Sequence, residues 1–288
     1  MDWLERMNRA LDYLEQNIEA PLDIQEVSRV ACASPFHFQR MFHILTGVTV
    51  AEYVRKRKLT LAAQELAASN IRVLDVSLKY GYDSPESFAK AFRKVHGLNP
   101  SEARGRGMGL KAYPRISFHI SVKGAEEMDY KIIEKQAFRV LGKGIRVTTR
   151  DGENLRRIPK FWDEFCEDGS YDKICKLMDG KDLLGICMEF SPEQEELTYM
   201  IAAESGRGTA DLPEGWMVKE IPAETWAVFP SVGTLPDAIQ KVWERIFSEW
   251  FPATGYEHAD GPELEVYPQE GMNDPDYRCE VWIPITKK

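Results

Sequence analysis

The sequence predicts two domains of different class, an all-α first third followed by an α+β remainder. Three observations predict it. A stretch near the start repeats itself fifty residues later, a glycine-rich segment without sustained period follows, and beyond it helical periodicity gives way to short strand-like runs. Charge divides at the same place. Residues 1–107 hold 15 Lys and Arg against 13 Asp and Glu, a net +2, while residues 108–288 hold 22 against 33, a net −11. A weakly basic part joined to a strongly acidic one points to two jobs, and only the local field at a docking surface decides what binds there. Hydrophobic content of 43% with 29% charged residues suits a globular chain rather than a disordered one. No run of 18 apolar residues and no signal peptide occur, so a cytoplasmic protein with no membrane partner is expected. The five cysteines (Cys32, Cys166, Cys175, Cys187, Cys279) lack CxxC spacing and read as reduced thiols; no metal and no cofactor are expected.

The first element is "SPFHFQRMFHILTG", Ser34 to Gly47. Ser34 is a good N-cap, Pro35 suits the first helical position, and Gly47 is a stop. Phe38, Phe42 and Leu45 make one apolar face, leaving Phe36, His37, Gln39, Arg40 and His43 on the other. That face carries one large exposed aromatic beside side chains able to read base edges. Shifted by fifty residues, the pattern returns as "SPESFAKAFRKVHG", Ser84 to Gly97, and "DIQEVSRVACA" lies over "VLDVSLKYGYD". Each copy is a short helix, a tight turn and a second capped helix, the helix-turn-helix pattern. Between them Val50–Ser69 reads as a long helix, whose eighteen or so helical residues would span roughly 27 Å at 1.5 Å each. Successive major-groove faces lie about 34 Å apart, so one chain suffices to fill two adjacent grooves.

With "FHFQRMF", "YVRKRKL" and "GYDSPESFAKAFRKVHGLNPSEAR" in place, residues 1–107 resemble the DNA-binding domain of the AraC/XylS family of bacterial transcription regulators. The resemblance implies that Phe36, Gln39 and Arg40 enter the groove of double-stranded DNA from the first unit. Arg40 suits guanine O6 and N7, Gln39 suits adenine, and the Phe36 ring suits a thymine methyl. The matching positions of the second unit hold Glu86, Ala89 and Lys90, with Ser87 alongside, a poorer base reader. Base readout is therefore expected mainly from the first unit, with Lys90, Arg93 and Lys94 anchoring the second on phosphates. Pro35 and Pro85 open the two reading helices. His37 and His43 read as phosphate or packing residues rather than metal ligands. The basic run Arg55–Lys58 reads equally as a solvated helix face or as phosphate contacts.

Residues 108–127 read as a linker. Beyond it come strand-like runs ("YKIIEK", "FRVLGKGIRV", "LLGICMEF", "LTYMIAAE", "TWAVFPSVG", "LEVYP", "CEVWIPI") and two helical segments, "NLRRIPKFWDEFCED" and "LPDAIQKVWERIFSEWF". "YKIIEKQAFRVLGKG" is echoed loosely by "WMVKEIPAETWAVFPSVG". Each copy is followed by a helix, centred on Trp162 or Trp243, and two strands. The domain therefore reads as two β-α-β-β repeats about a pseudo-twofold axis, with a cleft between the halves.

This pattern, and above all "GYEHADGPELEVYP" followed by "YRCEVWIPI", resembles the gyrase-inhibitor-like (GyrI-like) effector-binding domain over residues 128–288. The resemblance implies an aromatic-lined pocket that takes organic, often cationic, molecules through a buried acid. The candidates are Glu280 and Glu265 for the acid, with Tyr199, Trp162, Trp226, Tyr267 and Trp282 as walls; aromatic faces and a desolvated carboxylate both favour a bulky cation. Core packing is the competing reading for Trp162 and Trp243, and simple exposure for Glu265. Glu280 and Trp282 share one side of an apolar final strand, where a carboxylate is costly to bury without a reason. No GxSxG, HExxH, Walker A or GxGxxG motif occurs, so an enzyme is not expected. The alternatives left open are a hydrolase of small reactive compounds and a module that binds a protein target. The sequence thus reads as a transcription regulator that binds DNA as a monomer, takes a small cationic or aromatic effector, and has RNA polymerase as a further partner.

Overall fold

The computed structural model describes residues 3–104, 109–118, 127–191, 195–206, 212–271 and 274–287. It divides into two units, Met1–Ser121 and Val122–Lys288. The first is helical, with α1 (Trp3–Gln16), α2 (Ile24–Val30), α3 (Pro35–Thr46), α4 (Val50–Ala68), α5 (Val73–Lys79) and α6 (Pro85–His96). The repeated caps act as their sequence suggests. The Ser34 hydroxyl accepts from the His37 amide at 3.3 Å and the Ser84 hydroxyl from the Ser87 amide at 3.1 Å. Gly47 and Gly97 end α3 and α6 in the left-handed region, at φ 71° and 81°, where a Cβ would be strained. Phe38, Phe42, Phe88 and Phe92 are fully buried, and each such side chain contributes about 1.5–3 kcal/mol by leaving water.

Helix α4 joins the two copies by serving both cores. Near its start Tyr53 packs on Phe42 with ring centroids 5.7 Å apart. Towards its end Leu59, Ala62, Ala63 and Leu66 pack with Val76, Tyr80, Phe88 and Phe92. The described part of the expected linker, residues 109–118, belongs to this unit too. Leu110 packs against the second core. The Tyr113 amide donates to Thr60 at 3.0 Å, Arg57 donates to the Tyr113 carbonyl at 2.8 Å, and Asn8 and Phe118 exchange hydrogen bonds of 2.9 and 3.0 Å. The helical unit therefore extends to Phe118 rather than stopping at 107. Its last segment is a strap held by side chains of α1 and α4, and such a strap has no period to read.

The second unit contains β1 (Lys131–Lys135), β2 (Phe138–Thr148), α7 (Glu153–Glu167), α8 (Ser170–Leu177), β3 (Asp182–Ser191), β4 (Glu196–Glu204), β5 (Trp216–Ile221), β6 (Glu224–Val232), α9 (Asp237–Arg245), β7 (Tyr256–His258), β8 (Glu263–Pro268) and β9 (Arg278–Lys287). Helix α9 runs on through a π turn at Ile246–Trp250. The strands order as β1-β6-β9-β8-β3-β4-β2-β5, all antiparallel, with β7 on β9. Each β-α-β-β repeat gains a short leading strand that it gives to the other half: β1 pairs with β6, and β5 with β2. Gly185 pairs with Ile201 across β3–β4, and Glu265 pairs with Val281 across β8–β9. Gly185 and Glu265 also pair with each other. The pseudo-twofold axis therefore passes between them.

The sheet has two unlike faces. Helices α7 and α9 cover one, which carries Leu183, Gly185, Tyr199, Glu265, Tyr267 and Val281. The other carries Val140, Leu184, Ile186, Met200, Trp226, Val228, Leu264 and Val266, with Trp282 packed against them. The sheet curls about this second face. Lys135 of β1 reaches Glu204 of β4 at 2.7 Å, although β6, β9, β8 and β3 stand between those strands in the sheet.

Candidate functional site

The two reading helices present different chemistry on one skeleton. On α6 the side chains of Glu86, Ser87, Lys90, Arg93 and Lys94 are exposed, and Ala89 is half-buried. The Ser87 hydroxyl is already engaged, donating to the Ser84 carbonyl at 2.8 Å, and Arg93 donates to the Asn99 side chain at 2.6 and 3.0 Å. On α3 Gln39, Arg40 and His43 are partly exposed. Phe36 departs from expectation: it is 6% exposed, with the Arg40 guanidinium, one turn on, lying 6.0 Å from its ring centroid. His37 is buried as well. Burial is the largest influence on His43 and lowers its pKa, favouring the neutral ring.

Most of the basic run on α4 has local employment. Lys56 pairs with Glu52 at 2.6 Å, Arg57 with Glu15 at 2.7 Å, and Lys58 donates to the Ala20 carbonyl at 2.9 Å. Arg55 is its exposed member. The run is therefore chiefly a structural clamp, since a guanidinium already bonded to Glu15 and to the Tyr113 carbonyl has little left for a phosphate.

In the sheet unit the seven expected pocket residues fall on opposite faces. Glu280, Trp226 and Trp282 lie on the curled face. There Glu280 accepts from Lys131 at 2.9 Å and from the Trp282 indole at 2.8 Å, so its charge is already matched. Trp226 is fully buried against Trp282, with centroids 5.9 Å apart. It is core, not wall. Strand alternation turns Glu280 away from helices α7 and α9, so it does not share a face with Glu265.

Glu265, Tyr199, Tyr267 and Trp162 do converge, on the helix-covered face. Glu265 accepts from the Tyr267 hydroxyl and from the Trp243 indole, each at 2.8 Å. Trp162 of α7 donates to the Tyr199 hydroxyl at 2.7 Å and stands edge-on to Tyr267, centroids 5.5 Å apart. Burial, and then the Glu265 charge, push the Tyr267 hydroxyl well above its usual pKa, so it stays a proton donor. Both hydrogen-bond partners of Glu265 are neutral. Among the described residues no lysine or arginine pairs with it, whereas Glu189, Glu204 and Glu280 each hold a lysine. Glu265 is thus a partly buried carboxylate walled by aromatic rings, with only neutral donors bonded to it. Sequence reasoning weighed Trp243 between core packing and ligand contact and passed over Gly185; the one signal for the latter was a glycine inside the apolar run "LLGICMEF".

Comparison with known proteins gives both domains a place. The family described as integron-associated effector binding protein matches residues 131–285, and the helix-turn-helix domain family matches residues 27–106. The transcriptional activator AarP of Providencia stuartii is 35% identical over 95 residues, which are 33% of this chain and 70% of that protein. The multiple antibiotic resistance protein MarA of Escherichia coli (strain K12) is 36% identical over 98 residues, 34% of this chain and 77% of that one. Among solved structures, SAV2435 bound to tetraphenylphosphonium resembles this chain with a TM-score of 0.50 at 20% identity, covering 55% of this chain and 94% of that one. Among the described residues no helix is long and apolar enough to cross a membrane.

Proposed function

We infer how this chain works from the premise that it belongs to the integron-associated effector binding protein family, its effector domain preceded by an AraC-type helix-turn-helix domain. It is a DNA-binding transcription regulator whose second domain binds small molecules. The effector is an organic cation, and Glu265 is the group that recognises it. The observation carrying this reading is the contrast among carboxylates: Glu265 alone of the two candidates has only neutral donors around it, with Trp162, Trp243, Tyr199 and Tyr267 as its surroundings. A cation entering there gains a carboxylate and ring faces together.

On the DNA side, Gln39 and Arg40 of α3 read bases, while Lys90, Arg93 and Lys94 of α6 hold phosphates. What supports the division is the side-chain chemistry of each helix, together with an α4 of 19 residues, about 28 Å long at 1.5 Å per residue. That length favours one protomer on one asymmetric site. RNA polymerase is the natural further partner of a protein so built.

Titration of the full chain with tetraphenylphosphonium, followed by tryptophan fluorescence, tests the effector reading. The parent is expected to saturate, and Glu265→Gln, which keeps shape and removes charge, to lose most of the affinity. Equal affinity in the two proteins would falsify the assignment of Glu265.

A further inference from the structure

Two equivalent positions meet at the pseudo-twofold axis, and they are filled by opposites. One is Glu265, the other Gly185. A glycine in mid-strand weakens the strand and packs nothing, so its presence calls for a reason. Conformation is not the reason here, because Gly185 is not among the residues with positive φ. Space is. A Cβ built at 185 would lie 2.5 Å from the Tyr199 hydroxyl oxygen, 3.4 Å from Tyr199 Cζ and 3.5 Å from Glu265 Oε2. The first distance is impossible and the other two are tolerable. The bare backbone of Gly185 is thus the seat of the Tyr199 hydroxyl, which accepts from Trp162 of α7 at 2.7 Å. Any side chain at 185 would drive that hydroxyl away from the strand, loosening its bond to Trp162 and pushing the ring into the space beside the Glu265 carboxylate.

We propose that Gly185 is the specificity-determining position of the effector site, fixing the largest cation the site admits by letting the Tyr199 hydroxyl sit against the backbone of β3. The proposal rests on the reading of Glu265 as the cation's partner. Gly185 acts through Tyr199, as a positioning residue, and its effect depends on ligand size. A bulky tetra-aryl cation needs the volume that the displaced ring would fill. A small quaternary ammonium reaches the same carboxylate without it.

The test uses the full chain, two probes (tetraphenylphosphonium and benzyltrimethylammonium) and three variants: Gly185→Ala, Tyr199→Phe and the double variant. Gly185→Ala is expected to weaken the bulky probe at least about tenfold and the small one less than about threefold, a size of coupling ordinary for side chains in contact. In the Tyr199→Phe background the clashing oxygen is gone and the remaining contacts, 3.4 Å to Cζ and 3.5 Å to Glu265 Oε2, are ordinary ones. There the same Gly185→Ala change should leave the bulky probe's affinity within about threefold. Equal loss for both probes, or an equal loss in both backgrounds, would overturn the proposal. The same cycle measured without ligand, by thermal midpoint and tryptophan emission, reads the steric contact directly, and additivity there would also overturn it. A parent that binds neither probe overturns the cation reading and this proposal with it; the ligand-free cycle then still decides whether Gly185 seats Tyr199.

Discussion

Helices α3 and α6 agree in their caps and cores and differ on their outer faces. Ser34 and Ser84 start them, Gly47 and Gly97 end them, and two buried phenylalanines anchor each. Outside, Gln39, Arg40 and His43 in the first are Ala89, Lys90 and Arg93 in the second. The sheet unit repeats the lesson across its pseudo-twofold axis, where Glu265 in one half stands opposite Gly185 in the other. In both domains the scaffold is duplicated and the chemistry is not. The caps and the paired phenylalanines match between copies, and the positions proposed here to bind are those that diverge.

The largest effect that would break this comparison is expected at Glu265. Glu265→Gln should weaken tetraphenylphosphonium on the order of a hundredfold, the scale of removing one partner from a close, partly buried charge pair. Glu280→Gln should change it less than about threefold, because Glu280 is bonded to Lys131 and Trp282 on the opposite face. Fluorescence titration of both variants decides it. A larger loss at Glu280 would mean that the curled face holds the effector.

That pair of glutamates also marks how far the sequence could be read. Alternation along "RCEVWIPI" correctly sets Glu280 beside Trp282, and alternation along "ELEVYP" sets Glu265 beside Tyr267. A period of two says which residues share a face; it cannot say which face the helices will cover. The helix-turn-helix units were legible because capping is local: Ser34, Pro35 and Gly47 act within one turn of themselves. The exchange of β1 and β5 between halves was not legible, since a strand's partner is chosen over long range. Nor was the strap at 109–118, whose backbone is held by Thr60, Arg57 and Asn8 far off in the chain. Phe36 differs too: a helical wheel assigns it to the outer face, but it is buried.

Next in size is the difference between the reading helices. Arg40→Ala should cost about 1–3 kcal/mol at a cognate site and relax preference at one or two base pairs. Lys90→Ala should weaken all duplexes alike and reduce the salt slope by about 1. Binding isotherms on cognate and scrambled duplexes over a range of salt separate the two. If Lys90→Ala changed preference while Arg40→Ala changed only the slope, the roles of the two helices would be reversed.

The caps should show the opposite, near equality. Ser34→Ala and Ser84→Ala each remove one hydrogen bond to a first-turn amide, and each should cost about 1 kcal/mol. Denaturant midpoints of the two variants are the measurement. A difference of more than about twofold between the two costs would mean that one copy of the scaffold has drifted.

The smallest expected effect is a pH dependence at His96, in the second copy's last turn. His96 is buried, its ring 4.3 Å from that of Phe92 and its Nε2 3.1 Å from the Leu59 carbonyl oxygen. Burial is the largest influence and lowers its pKa, the Leu59 carbonyl partly opposes this, and Lys111 adds to the lowering. The folded-state pKa therefore lies below that of the unfolded chain, about 6.5. Above that pH neither state binds the proton, and the contribution of the neutral ring to stability is full. As pH falls below it the unfolded chain is protonated first, so stability drops until the folded-state pKa is passed. The equivalent position in the first copy is Thr46, whose hydroxyl donates to the Phe42 carbonyl at 2.7 Å and does not titrate. His96→Gln retains a donor for Leu59 and removes the titration. Thermal midpoints of parent and variant between pH 8 and pH 5 should then run level at the upper end and diverge on the acid side, the parent falling more steeply by the uptake of one proton. Parallel curves would mean that His96 keeps an ordinary pKa and that burial at this turn is relieved by water.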